Sequence, residues 1–309
     1  MKRIAPAYYP QFSCIAGECR HSCCIGWEID IDSDTLDYYK AVDGDFGKRL
    51  SDSITDGDCP CFTLGKDERC PFLNSEGLCD IIINLGEDAL CQICRDHPRF
   101  RNYFSDRVEI GLGLCCEEAA RIIVEGDGSA ELTVIEDDGG ECLPTGEEAE
   151  FFGYRQRLLD ILGDTSTSVG HRLSLCLDAV GIPDKALTPK ELSDILLRLE
   201  YMEPEWHSTL VSLGKADSLP TLPVDTDEVF ARLAVYFLYR HLADSLDDGR
   251  LPERTAFCVF CTRALRAICA LRLSQKGELT SADIAEAARM FSSEIEYSEE
   301  NTEILISAT

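Results

Sequence analysis

The chain is expected to be mostly α-helical, with a cysteine-rich N-terminal metal-binding region carrying short strands and a C-terminal helical bundle. Three observations predict this. Twelve of the 17 cysteines lie before residue 117. Apolar side chains recur at helical spacing in 151–162, 170–180, 190–201, 228–246, 255–273 and 281–297. Between the two parts, 125-EGDGSAELTVIEDDGGECLPTGEEAE-150 holds ten acidic residues, five glycines and no Lys or Arg. Self-repulsion and glycine freedom make that stretch an acidic linker or hairpin, with Leu132 to Ile135 strand-like. The expected division is therefore 1–124, 125–150 and 151–309.

Each element has a local reason. At 27-WEIDID-32, Trp27, Ile29 and Ile31 alternate with acidic residues, as a half-buried strand requires. Ser33 or Asp34 then caps a short helix through Leu36, Tyr39 and Val42. The segment 86-GEDALCQICRDHPRF-100 reads as a helical turn stopped before Pro98. Residues 115-CCEEAARIIVEG-126 read as a helix ended by Gly126. Further on, Thr188-Pro189 with Glu191 close behind opens one helix, and Thr280-Ser281-Ala282-Asp283 opens the last.

Composition excludes some functions. A net charge of −28 argues against nucleic acid, whose phosphates demand a basic surface. An acidic body attracts basic, lysine-rich partners instead. Met1 to Gln11 contains no apolar run long enough for a signal-peptide core, and no stretch of about 18 apolar residues exists to span a membrane. A cytoplasmic location is expected, where thiols stay reduced and a disulfide framework is not formed.

Clustered thiols then point to metal. Thiolate is a soft, strongly donating ligand for Zn²⁺ and for iron–sulfur clusters. One group is Cys14-x4-Cys19-x3-Cys23-Cys24; the other gathers Cys70, Cys79, Cys94 and Cys116. Cys258-Val-Phe-Cys261 sits inside a strong helix and, with Cys142, Cys176 and Cys269, reads as small buried apolar side chains. His21 and His97 stand beside cysteines, where a histidine can ligate or tune a metal, although plain loop positions account for both. His171, His207 and His241 read as structural. No glycine-rich nucleotide loop, phosphate loop or nucleophile elbow is present.

The stretches 12-FSCIAGECRHSCCIGWEIDID-32, 70-CPFLNSEGLC-79, 85-LGEDALCQICRDHPR-99 and 116-CEEAAR-121 resemble the cysteine-cluster family of zinc- or iron-chelating domains. The longer match, ending in 291-FSSEIEYSEEN-301, resembles the flagellin lysine N-methylase branch. That resemblance implies an S-adenosylmethionine-dependent methyltransferase acting on lysine in a basic protein substrate, flagellin in the family. It also implies a cysteine-bound iron–sulfur cluster, 4Fe–4S in kind, or zinc. The alternative is a non-catalytic zinc- or iron-binding module that recruits a protein partner.

The family cysteines map to Cys14, Cys19, Cys23, Cys24, Cys70, Cys79, Cys94 and Cys116. Cys59, Cys61, Cys91 and Cys115 are extra to the pattern. His97, Ser293 and Tyr297 depart from it, standing where the family tends to have Tyr, Arg and His. Arg95 and Arg99, with Arg101 nearby, form a cationic patch suited to a cofactor carboxylate or to balancing thiolates. Tyr8, Tyr9, Trp27, Tyr103 and Tyr297 are candidate aromatic contacts to a cation.

Overall fold

The structure is a computed structural model describing residues 1–55, 57–126, 131–140 and 142–308. It is mostly helical, with a four-stranded sheet. The chain divides into one compact unit of Ser13–Arg99 and another of Met1–Phe12 with Phe100–Thr309.

The smaller unit contains helices α1 (Ser33–Lys40), α2 (Gly44–Asp52), α3 (Asp80–Leu85) and α4 (Gln92–Asp96). The cap of α1 is Asp32 rather than Ser33 or Asp34: its carboxylate accepts the Thr35 N–H at 3.0 Å. The Trp27–Asp32 alternation does bury Ile29 and Ile31. Among the described residues, however, it forms only the isolated bridge Asp30↔Cys61, not a strand. Its core gathers Ile29, Ile31, Tyr39, Leu50, Phe62 and Phe72 with the buried thiols of Cys70 and Cys91.

The larger unit holds the strands. β1 (Lys2–Pro6), β2 (Arg99–Tyr103), β3 (Arg107–Leu112) and β4 (Leu132–Asp137) form one sheet in the order β2-β3-β1-β4. β1 runs parallel to β3 and antiparallel to β4. Strand pairing therefore puts residues 1–12 and 100–124 in the same unit as the helices, which is where the observed division departs from the one expected at 124. Around the sheet come α5 (Glu117–Glu125), α6 (Gly146–Leu162), α7 (Val169–Val180), α8 (Pro189–Leu196), α9 (Pro204–Gly214), α10 (Asp227–His241), α11 (Ser245–Asp248), α12 (Leu251–Lys276), α13 (Ser281–Ile295) and α14 (Glu299–Ala308). Capping boxes open α6, α8 and α13, each from a threonine whose hydroxyl and N3 carboxylate satisfy end amides. α12 is the central helix: Phe257, Cys261, Leu265, Ile268 and Cys269 have essentially no exposed surface. The helical CxxC pair is thus buried apolar filling, as its setting predicted.

Candidate thiol centre and a buried polar network

In the smaller unit the backbone brings thiols toward one another from three loops. The Cys70 N–H donates to the Cys24 carbonyl at 2.9 Å, beside the Ile25↔Arg69 bridge. A second bridge, Leu73↔Cys79, folds the Cys-Pro-Phe-Leu turn back on itself. Cys91 stands at the N-cap of α4, and its sulfur lies 3.4 Å from the Cys94 sulfur one turn later, within hydrogen-bonding reach.

Electrostatics follow that geometry. A hydrogen bond from the Cys23 thiol, with help from Ser22 and the Arg69 charge, pulls Cys24 down to about 7 against its burial. Burial pushes Cys70 up to about 12, and the nearby Cys24 and Cys79 add to it. The hydrogen bond from Cys94 lowers Cys91. Cys94 is raised by giving that bond, by burial, and by the thiols of Cys91, Cys24 and Cys70. The sulfurs are thus linked as electrostatic neighbours: Cys24 with Cys70, Cys79 and Cys94, Cys70 with Cys79 and Cys94, and Cys94 with Cys91.

Other predicted ligands are placed differently. The Cys14 sulfur accepts the Ala16 N–H at 3.4 Å, and the Cys19 thiol donates to the His21 carbonyl at 3.4 Å. Cys116 lies in the larger unit, at the N-cap of α5. Cys91, set aside in sequence as extra to the pattern, is the partner of Cys94; the signal was the CxxC spacing itself. Arg95 is exposed, and the Arg99 guanidinium donates to the Arg95 carbonyl at 3.2 Å. The donor set suits a soft metal in kind. Among the described residues, though, no three Cys, His, Asp or Glu side chains converge at metal-coordinating spacing.

The larger unit carries a second constellation that sequence motifs did not flag. Glu296 follows α13 with no exposed side-chain surface. Its carboxylate meets His241 Nε2 at 2.5 Å and Arg240 Nε at 3.2 Å, and accepts from the Tyr236 hydroxyl at 3.0 Å. That hydroxyl in turn accepts the Leu114 N–H at 3.1 Å. Burial alone would raise the Glu296 carboxyl, but the Arg240 charge and the His241 hydrogen bond outweigh it and hold the group below the usual range. The Arg240 guanidinium lies 5.2 Å from the Phe100 ring centre and 5.1 Å from that of Tyr297. Tyr297 is 47% exposed, and its hydroxyl is hydrogen-bonded to Cys115. Glu296 and Tyr297 both fall in the 291–301 stretch.

A cavity of about 20 Å³ lies among Tyr8, Arg155, Arg232, Tyr236 and Tyr239. It has room for a single water, and the Tyr239 hydroxyl is buried without a hydrogen-bond partner.

No family model and no solved structure matches the chain. Flagellar biosynthetic protein FliU of Salmonella muenchen is 30% identical over 148 residues, a span covering 83% of that protein and 42% of this chain. The chain belongs to the flagellin lysine methylase family. The lysine-N-methylase of Salmonella typhimurium is 30% identical to this family member over 181 residues, and that of Salmonella choleraesuis 28% over 180. The chain spans 42% of the length of each of those two enzymes. Among the described residues, no helix of this family member is long and apolar enough to cross a membrane.

Proposed function

We propose that the protein transfers a methyl group from S-adenosylmethionine to lysine side chains of a basic protein segment, with flagellin the acceptor. One observation carries this reading: relatives bearing the name lysine-N-methylase are about 30% identical to the chain. Transfer requires a neutral amine aligned behind the sulfonium methyl. The N–C bond forms as the C–S bond breaks, S-adenosylhomocysteine leaves, and the amine gives up its proton.

The residues available to that reaction support it. Tyr297 offers a half-exposed aromatic face to an incoming ammonium group. Arg240 stacks on the same ring, but its charge is answered by Glu296, so the ring does not sit over a net positive site. Arg95 and Arg99 would hold the cofactor carboxylate. Four thiols drawn from Cys24, Cys70, Cys79, Cys91 and Cys94 would hold an iron–sulfur cluster, 4Fe–4S in kind, or zinc in its place, once brought closer than they stand here. Such a group braces the loops that ligate it and, as a cluster, supplies one-electron chemistry.

The test uses anaerobically purified protein, labelled S-adenosylmethionine and flagellin, with methylated lysines mapped by mass spectrometry and metal by elemental analysis. Label on flagellin lysines, with iron and sulfide in the protein, is the expected result. If no protein gains label while S-adenosylmethionine still binds, a metal-binding module that recruits a partner becomes the better account.

A further inference from the structure

We infer that the outer edge of β4 is a docking strand for an extended, lysine-bearing peptide, which adds to the sheet as a further strand. Calling that peptide a substrate rests on the proposed function; its binding to the edge does not.

Among the described residues β4 pairs with β1 alone and ends the sheet. The direction of its free groups follows from the ladder. Ala7 N–H donates to the Glu131 carbonyl at 2.9 Å, and two residues along, Ala5 faces Thr133. In an antiparallel pair, hydrogen-bonded positions alternate with positions whose N–H and C=O point away. Glu131 and Thr133 thus bond toward β1, while Leu132 and Val134 present their backbone N–H and C=O groups outward.

Open edges are normally blunted by lysine, proline, other charges or a bulge. The sequence of β4, Leu132-Thr133-Val134-Ile135-Glu136-Asp137, has no lysine or proline; its acidic pair and its register shift against β1 lie toward its C-terminal end, and two β-branched apolar side chains are exposed, Val134 at 55% and Ile135 at 39%. Charge selects the occupant. Residues 125–150 include ten acidic side chains and no Lys or Arg, so a basic strand is attracted. Part of that charge is already used: Glu136 pairs with Arg3 at 2.8 Å, and Asp138 with the Met1 amino group. A second copy of the chain would bring the same acidic edge and a net charge of −28 against it. Strand addition takes affinity from the main chain and selectivity from alternate side chains. Lysines at every second position would all fall on one face of the sheet, where Asp137, which Arg3 does not engage, can meet them, while the intervening residues lie on the other face.

The experiment needs no methyl donor. A fluorescein-labelled peptide of about ten residues, alternating lysine and threonine, is titrated by anisotropy into the full chain. A second peptide of the same sequence carries backbone N-methyl groups at alternate residues. It keeps the charge and loses the ladder. N-methylation is expected to weaken binding by about tenfold or more, and the unmodified peptide to slow hydrogen exchange of the Leu132 and Val134 amides. Val134→Pro, which removes an outward N–H without costing a bond to β1, is expected to weaken binding to the same degree. Should that variant fold poorly, the peptide pair on the unaltered protein decides alone.

Equal binding of the two peptides would overturn the inference and leave only diffuse charge attraction. Protection of β4 in a peptide-free dimer, seen by sedimentation, would overturn it in favour of a second copy. Peptide binding at β4 without methyl transfer would count against the proposed function and leave the docking edge standing. Transfer without β4 protection would do the reverse.

Discussion

Glu296 is answered by Tyr236, Arg240 and His241 of α10, and the balance is sensitive to removing any one of them. Replacing a partner of a buried ion pair leaves the other charge stranded, at a cost of about 3–5 kcal/mol. Glu296→Gln should therefore lower the unfolding free energy by roughly that amount, because Arg240, 12% exposed, keeps its charge and loses its carboxylate. Urea denaturation measures it. The sign with pH is fixed by direction: a carboxyl held below its ordinary value in the fold stabilises fully above the unfolded value and loses that contribution as pH falls. A second residue-scale expectation concerns the thiols. Cys91→Ser should lower the metal content of the purified protein as Cys94→Ser does, since the two sulfurs are 3.4 Å apart and share the same buried neighbours. Cys14→Ser, on an exposed sulfur bonded within its own loop, should spare it. Full occupancy in Cys91→Ser would return Cys91 to the role of a plain core residue.

At the scale of elements, helix ends make the clearest wager. Burial works to raise the carboxyl of Asp283, yet hydrogen bonds from Lys276 and Thr280 hold it at about 2. Its contribution is complete above the ordinary value of 3.8 and is lost as pH drops from about 4 toward 2. Thr280→Ala, which breaks the same box, should cost about 1 kcal/mol at neutral pH and flatten that acid limb. Gly111 in β3 makes a different demand, since a Cβ there would overlap the Phe100 ring that packs on Tyr236 and Arg240. Gly111→Ala should cost about 1–3 kcal/mol by overpacking, read as a lower Tm.

Those caps also show what the sequence makes legible. Thr188, Thr280 and their acidic partners are local signals, and the helices they open lie where the pattern puts them. Helix α9 escapes because it opens at Glu203 with no side-chain cap to mark it, and α14, with Glu299-Glu300-Asn301-Thr302 at its start, escapes as well. The β1–β3 and β1–β4 pairs escape because strand partners far apart in sequence leave no local trace. Trp27–Asp32 shows the correct two faces but has no full-length partner. Glu296 lies in the 291–301 stretch, yet nothing in that stretch marks His241 as its partner: 55 residues of chain separate them, and only the fold brings them together.

For the molecule as a whole, the two units differ in how they are held. The larger has an extensive core spanning α5 to α14, whereas the smaller rests on eleven buried side chains, two of them cysteines. A domain with so little apolar burial commonly leans on a metal or a disulfide for its stability, and every cysteine here is a free thiol. If the thiols hold a metal, its binding energy is folding energy for that unit and contributes little to the other. Stripping the metal with a chelator should then raise amide hydrogen exchange across 13–99, including α1 and α2, which carry no cysteine. Exchange in α10, α12 and α13 should stay slow, because the side chains that protect them belong to the other core. Mass-spectrometric exchange of the replete and stripped protein resolves the two outcomes. A rise spread evenly over both units would mean that they unfold as one and that the metal stabilises the chain globally. No change in 13–99 would mean that its small core suffices and that the clustered thiols serve chemistry alone.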